Sequence, residues 1–151
     1  MKRFAWRLQS VLNVKEKEEE KKRSELFRTT EQLAETRGEL LTEKRKLEDI
    51  ISNIASQGPD KRLRQQELFM SYCAASDEKI SNLKQKAAKL ESQQREKMAE
   101  LLRVRKFKKG LERLREEAKR KYIKKQEKLE QKELDEMAVT SFIRENRTVK
   151  N

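Results

Sequence analysis

One stretch of the sequence, LFRTTEQLAETRGELLTEKRKLEDIISNI, spans residues 26–54 and decides the fold. It places an apolar residue at every seventh position, which keeps one seam of a helix facing a partner helix. We therefore predict a long helix that pairs along this seam. The seam residues are Leu26, Leu33, Leu40, Leu47 and Ile54.

A second array with the same spacing follows a single break in the chain, Gly58-Pro59. Proline cannot continue a helix, and a glycine that adopts a positive φ is a common helix cap. Such a break lets the chain turn back so that the two arrays face each other. The second array consists of one column, Phe69, Ser76, Leu83 and Leu90, and an interleaved column, Cys73, Ile80, Ala87 and Leu101.

The two arrays predict an all-α fold: a long antiparallel two-helix coiled-coil hairpin with unequal arms, whose C-terminal helix overhangs. We expect a single hairpin over residues 1–151, with a first helix over about 4–55, a turn over about 56–60 and a second helix over about 61–144. The composition agrees, because 44% of the residues are charged and the chain holds only three glycines and one proline. A disordered chain could share this charge, but it would have no reason to keep the apolar period.

Symmetric folding about the break predicts the register of the hairpin, in which residue i lies level with about 116 − i. This register sets Leu47 beside Phe69 and brings Glu19 level with Lys97. It also leaves the second helix without a partner beyond about Gly110. An isolated helix gains little stability without packing, so we expect another protein to cover the overhang.

The residues that carry most enzyme chemistry are missing from the sequence. The chain has no histidine, one cysteine and no glycine-rich phosphate loop. Cys73 falls on the seam and is interpreted as a small buried apolar residue. We expect no catalytic activity, no cofactor and no metal site.

The positive charge is concentrated in one segment. The net charge is +12, and residues 103–125 alone hold 12 Lys and Arg against 3 Glu. Such a segment suits nucleic acid, an anionic membrane surface or an acidic protein partner. No segment has the ~18 consecutive apolar residues typical of a membrane span. Two alternatives therefore stay open: a coiled coil that binds nucleic acid or ribosomes, and a membrane-surface helix led by Trp6.

Both ends of the chain resemble the FliJ family, the stalk protein of the bacterial flagellar type III export apparatus. The opening Phe4–Leu12, FAWRLQSVL, is similar to the family's aromatic-x-aromatic-x-Leu-x-x-Val-Leu start. The closing Gln131–Ala138, QKELDEMA, resembles its Lys-x-x-Asp-Glu-hydrophobic-Ala ending. The lengths of both arms also match, so the resemblance covers the whole chain. The stalk proteins of non-flagellar type III secretion share the fold and are a further alternative.

The resemblance implies a non-enzymatic stalk that inserts in the hexameric export ATPase, promotes its activity and contacts the cytoplasmic domain of the membrane export gate. It implies export chaperones as further partners and a role in flagellum assembly, and hence in motility and chemotaxis. We expect no nucleic-acid partner. The expected location is the cytoplasm, at the inner face of the cell membrane. The ATPase-facing residues would be Phe4, Trp6, Arg7, Leu8, Lys108, Lys109, Arg113 and Arg115, and the gate-facing residues Leu40, Lys44, Phe69, Tyr72, Cys73 and Ser76.

Overall fold

Two long helices account for the regular structure across residues 2–150, which the computed structural model describes apart from the side chain of Arg62. Helix α1 runs from Gln9 to Ala55 and helix α2 from Pro59 to Val149. The predicted all-α fold, with two antiparallel helices and a longer C-terminal helix, is confirmed. The fold divides into two compact units, which we call the turn unit (residues 18–103) and the terminal unit (residues 2–17 and 104–150).

Helix α1 begins five residues later than predicted, at Gln9 instead of Phe4. The amide of Gln9 donates to the carbonyl of Trp6 over 3.1 Å, and the amide of Leu12 donates to the carbonyl of Leu8 over 3.0 Å. Residues 2–6 lie outside any helix, although their sequence continues the apolar spacing. Lys2 and Phe4 of this segment instead contact Tyr122 of α2, as described below.

The turn is short and tightens the end of α1. The amide of Ser56 donates to the carbonyl of Ser52, and the amide of Gln57 donates to the carbonyl of Ile54, three residues back. None of the glycines that the structure describes has a positive φ, so the positive-φ cap expected at Gly58 is wrong. Pro59 instead opens α2, where its missing amide hydrogen and fixed φ cost nothing.

The heptad seam forms the core of the turn unit. Leu33 is only 2% exposed and clusters with Ala87 and Leu90. Leu83 and Leu101 are buried as well, as the spacing predicts. Packing along this seam supplies the stability that such charged helices would lack in isolation.

The observed register differs from the predicted one by about one heptad. In five of the polar side-chain contacts that cross between α1 and α2, the two residue numbers add up to between 122 and 128 instead of 116. Near the turn, Ile54 and Phe69 line one groove, which gives the same offset. The expected pairing of Leu47 with Phe69 is therefore wrong. Helix α2 starts directly at Pro59, and its first turns extend past the end of α1.

The predicted placement of Glu19 level with Lys97 is wrong for the same reason. Lys97 donates to the hydroxyl of Thr29 over 2.8 Å and is not level with Glu19. Lys22, which the predicted register sets against Gln94, instead pairs with Glu100 over 2.9 Å.

Polar side chains occupy the second column of the α1 seam, which the sequence analysis did not predict. Thr29 and Thr36 are 2% and 1% exposed, and Glu43 is buried as well. The hydroxyls of Thr29 and Thr36 donate to carbonyls one turn earlier in the same helix. The hydroxyl of Thr36 thus needs no partner on α2, whereas the hydroxyl of Thr29 also accepts a hydrogen bond from Lys97 of α2.

Helix pairing in the terminal unit reaches further along α2 than predicted. Leu12, Val104 and Leu111 are buried, and Ala118 and Tyr122 are half-buried. The prediction that α2 lacks a partner from about Gly110 is therefore wrong. Every residue from 127 to 150 is exposed, and we call this segment the overhang.

Candidate interaction surfaces

The N-terminal segment packs against α2 through aromatic contacts. The rings of Phe4 and Tyr122 lie 5.5 Å apart between centroids and are tilted by 54°. The hydroxyl of Tyr122 donates to the backbone carbonyl of Lys2. Trp6 and Leu8 are half-buried, while Arg7 is exposed. The two contacts of Tyr122 thus fix where the chain lies before α1 begins.

The terminal unit contains all eight residues expected to face the ATPase. The side chains of these residues differ in how exposed they are. Lys109 and Arg113 are exposed, but Lys108 and Arg115 are half-buried and continue the seam columns. Lys108 pairs with Glu112 over 3.8 Å. Of the four predicted basic residues on α2, Lys109 and Arg113 are therefore the two that a partner can reach directly.

A basic surface surrounds these two residues on α2. Arg120 lines the same shallow groove as Lys109 and Arg113, beside Glu112, Glu116 and Glu117. Lys106, Lys119, Lys121, Lys124 and Lys125 are exposed as well. Because 12 basic residues face only 3 glutamates between residues 103 and 125, the local field attracts acidic partners.

One lysine of α1 contacts α2 through an aromatic ring. The ammonium of Lys15 lies 4.9 Å from the centroid of the Phe107 ring, at a distance typical of a cation–π contact. Phe107 remains 52% exposed beside the basic surface. A partner that covers this face would therefore meet an aromatic ring among cations.

The residues expected to face the export gate do not form one surface. Ser76 is buried, and Leu40, Phe69 and Cys73 are half-buried on the seam. Tyr72 is exposed, at 37%. The structure thus places most of this set between the helices.

Lys44 is exposed, but the register separates it from Tyr72. Its neighbour Glu43 pairs with Lys79, which lies one heptad beyond Tyr72 on α2. The predicted side-by-side arrangement of Lys44 and Tyr72 is therefore wrong.

An apolar surface beside the turn was largely missed by the sequence analysis. Leu63, Leu68 and Met70 are 72%, 71% and 74% exposed, and Ile51 is 54% exposed. None of these four residues is among those expected to face the export gate. The sequence does contain a sign of this surface, because apolar residues on both sides of Gly58-Pro59 occupy positions outside the two seam columns. Leu63 and Met70 lie seven residues apart and share one side of α2, whereas Leu68 lies on another side of the same helix. Exposed apolar side chains near the turn make this region a candidate docking surface.

Ion pairs between the helices shift the pKa values of their members. The hydrogen bond from Lys79 lowers the pKa of Glu43, and the same bond raises the pKa of Lys79. The hydrogen bond between Lys22 and Glu100 likewise raises the pKa of the lysine and lowers that of the glutamate. All four groups therefore stay charged over a wide pH range around neutrality.

Two kinds of site were not found among the described residues. No group of three or more His, Cys, Asp or Glu side chains is arranged to hold a metal ion. Neither described helix has an apolar window that could cross a membrane.

A comparison with protein families identifies the chain. The profile of the family described as flagellar FliJ protein matches residues 4–147, which include both helices almost completely. The chain belongs to the FliJ family. No curated protein and no solved structure matches it significantly.

Membership of the FliJ family makes this chain a coiled-coil component of the flagellar export apparatus. The matched residues include the Phe4–Tyr122 contact, the basic surface and the apolar surface beside the turn. The family match thus extends over every surface described above except residues 2 and 3 of the N-terminal segment and the last three residues of the overhang.

Proposed function

We propose that this FliJ-family chain is a non-enzymatic stalk that couples the hexameric export ATPase to the membrane export gate. Its terminal unit inserts in the ATPase and promotes ATP hydrolysis. The apolar surface beside the turn contacts the cytoplasmic domain of the gate. Through these partners the protein sits at the cytoplasmic face of the membrane, and it passes export chaperones along the same route.

One observation carries this proposal: the basic surface and the overhang lie in the same unit. The exposed cations of α2 suit insertion between subunits lined with acidic side chains. Electrostatic complementarity of this kind speeds encounter and fixes orientation more than it adds raw affinity.

The gate-facing half of the proposal rests on the exposed residues beside the turn. Leu63, Leu68, Met70 and Tyr72 offer apolar and aromatic side chains of the types that anchor protein interfaces. Of the predicted gate residues, Tyr72 and Lys44 remain candidates for direct contact. Phe69, Cys73, Ser76 and Leu40 act indirectly, because they hold the helices beneath that surface together.

Charge reversal tests the ATPase half of the proposal. The variant Lys109→Glu/Arg113→Glu/Arg120→Glu changes three exposed residues of the basic surface and leaves the seam intact. We expect it to abolish stimulation of ATP hydrolysis by the purified export ATPase. A matched control, Lys84→Glu/Lys86→Glu/Lys89→Glu, changes three exposed lysines of the turn unit and should keep the stimulation. Equal stimulation by both variants would contradict insertion of the basic surface.

A further inference from the structure

The overhang carries an apolar stripe that does not continue the seam. Leu134, Met137, Ala138 and Phe142 follow helical spacing, and the three larger side chains are 60–70% exposed. At 3.6 residues per turn, this stripe lies roughly 150° around α2 from the seam residues Leu111, Ala118 and Tyr122. Even if α1 were longer and continued along the seam, it would not cover the stripe. The stripe is therefore a surface separate from the seam.

The charges on the overhang change sign along its length. Residues 127–136 hold five acidic and two basic side chains, whereas residues 144–150 hold three basic and one acidic side chain. Two overhangs aligned in parallel would set like charges side by side. Two antiparallel overhangs would set the acidic half of each beside the basic half of the other.

We propose that the overhang pairs antiparallel with the overhang of a second copy of this chain, with Ala138 at the two-fold axis. Two-fold symmetry about residue 138 sets Leu134 of one copy level with Phe142 of the other, twice per dimer. It also brings Glu133 of each copy close to Arg144 of the other. The small side chain of Ala138 lets the two helices approach closely where they cross. This pairing removes the stripe from water without an unrelated partner.

The pairing goes beyond the proposed function and competes with it, because one overhang cannot lie both in a dimer and in the ATPase. The free chain would then be a dimer that dissociates when the ATPase takes up the overhang. Dimerisation is measured without any ATPase, so failure of this inference leaves the proposed function untouched.

Cysteine cross-linking of the full chain tests the symmetry directly. The substitution Ala138→Cys is made in a Cys73→Ser background. On the two-fold axis, the introduced thiol of one copy then lies beside the same thiol of the second copy, close enough to form a disulfide. We expect rapid formation of a covalent dimer under mild oxidation. The matched control, Lys132→Cys, is equally exposed on the same helix but points away from the stripe, and it should cross-link slowly.

Sedimentation and charge variants test the forces behind the pairing. The chain should show a concentration-dependent dimer, and Phe142→Glu should leave only the 18.1-kDa monomer. Glu133→Arg should weaken the dimer about fivefold by breaking two exposed ion pairs, and Glu133→Arg/Arg144→Glu should restore it. A monomer at every attainable concentration, or equal cross-linking at positions 132 and 138, would overturn the proposal.

Discussion

The ammonium of Lys79 donates to the carboxylate of Glu43 over 2.8 Å, although 36 residues separate them in sequence. The side chain of Glu43 is only 7% exposed, whereas that of Lys79 is 60% exposed. The ion pair therefore joins an exposed cation of α2 to a buried anion in the seam of α1. Because a shift of one heptad would separate these two charges, the ion pair distinguishes the observed register from the neighbouring ones.

The first prediction concerns the register itself. In a Cys73→Ser background, Leu33→Cys/Leu90→Cys should form an intramolecular disulfide, because Leu33 and Leu90 belong to one buried cluster. Leu33→Cys/Leu83→Cys corresponds to a register one heptad away and should remain reduced under the same conditions. Non-reducing electrophoresis of the monomer distinguishes them, and preferential oxidation of the second variant would contradict the observed register.

A second prediction concerns core packing. Leu33→Ala should lower the free energy of unfolding by about 3 kcal/mol, because it removes a buried side chain from the seam. Leu41→Ala makes the same chemical change at a position that is 51% exposed, and it should have little effect. Urea unfolding followed by circular dichroism measures both variants. Similar losses would mean that Leu41 also lies in a packed interface.

The sequence could predict the helices and the seam because both follow from local properties. Few glycines and prolines and a seven-residue apolar period are enough to predict them. The register could not be predicted in the same way, since a shift of one heptad returns the same columns to the same face. The predicted register assumed symmetric folding about the turn. It was wrong because α2 continues past the end of α1 before the helices pair.

The interaction surfaces were less predictable than the core. The start of α1 depends on the contacts of Tyr122 with Phe4 and Lys2, residues far apart in sequence. The candidate gate residues paired Leu40 with Ser76 and Lys44 with Tyr72 in the predicted register, from which the observed one differs by about one heptad, and Ser76 is buried. The exposure of Leu63 and Leu68 arises where α2 passes the end of α1, which only the structure reveals.

A third prediction concerns two polar residues of the seam, Glu19 and Lys97. Either Glu19→Leu or Lys97→Leu should raise the melting temperature, because polar groups at seam positions weaken a coiled coil. The two effects should add within about 0.5 kcal/mol, because the residues are not level with each other. Thermal unfolding of the four proteins in this double-mutant cycle measures the coupling. A larger coupling energy would mean that Glu19 and Lys97 interact directly.

The fourth prediction concerns pH. The lowered pKa values of Glu43 and Glu100 stabilise the fold above the ordinary carboxyl value of 4.5, and this contribution is lost as the pH falls through the lowered values. The raised pKa values of Lys22 and Lys79 stabilise the fold below 10.5, and that contribution is lost as the pH rises through the raised values. The melting temperature should therefore form a plateau between about pH 5 and pH 10.

Glutamine variants test the acid side of this plateau. Glu43→Gln/Glu100→Gln should lower the melting temperature at neutral pH and make it fall less steeply in acid. Glu35→Gln/Glu48→Gln changes two exposed glutamates of α1 and serves as the control, which should keep the acid dependence of the parent protein. An unchanged acid dependence in the first variant would mean that these two ion pairs do not control the transition.

Photo-cross-linking from the terminal unit and from the turn unit tests whether one chain contacts both the ATPase and the export gate. A photoreactive amino acid replaces either exposed Arg120, on the basic surface, or exposed Met70, beside the turn. With the assembled export apparatus, we predict that position 120 cross-links to the ATPase and position 70 to the cytoplasmic domain of the gate. The same partner captured from both positions, or the reverse assignment, would contradict a stalk that links the two machines in this orientation.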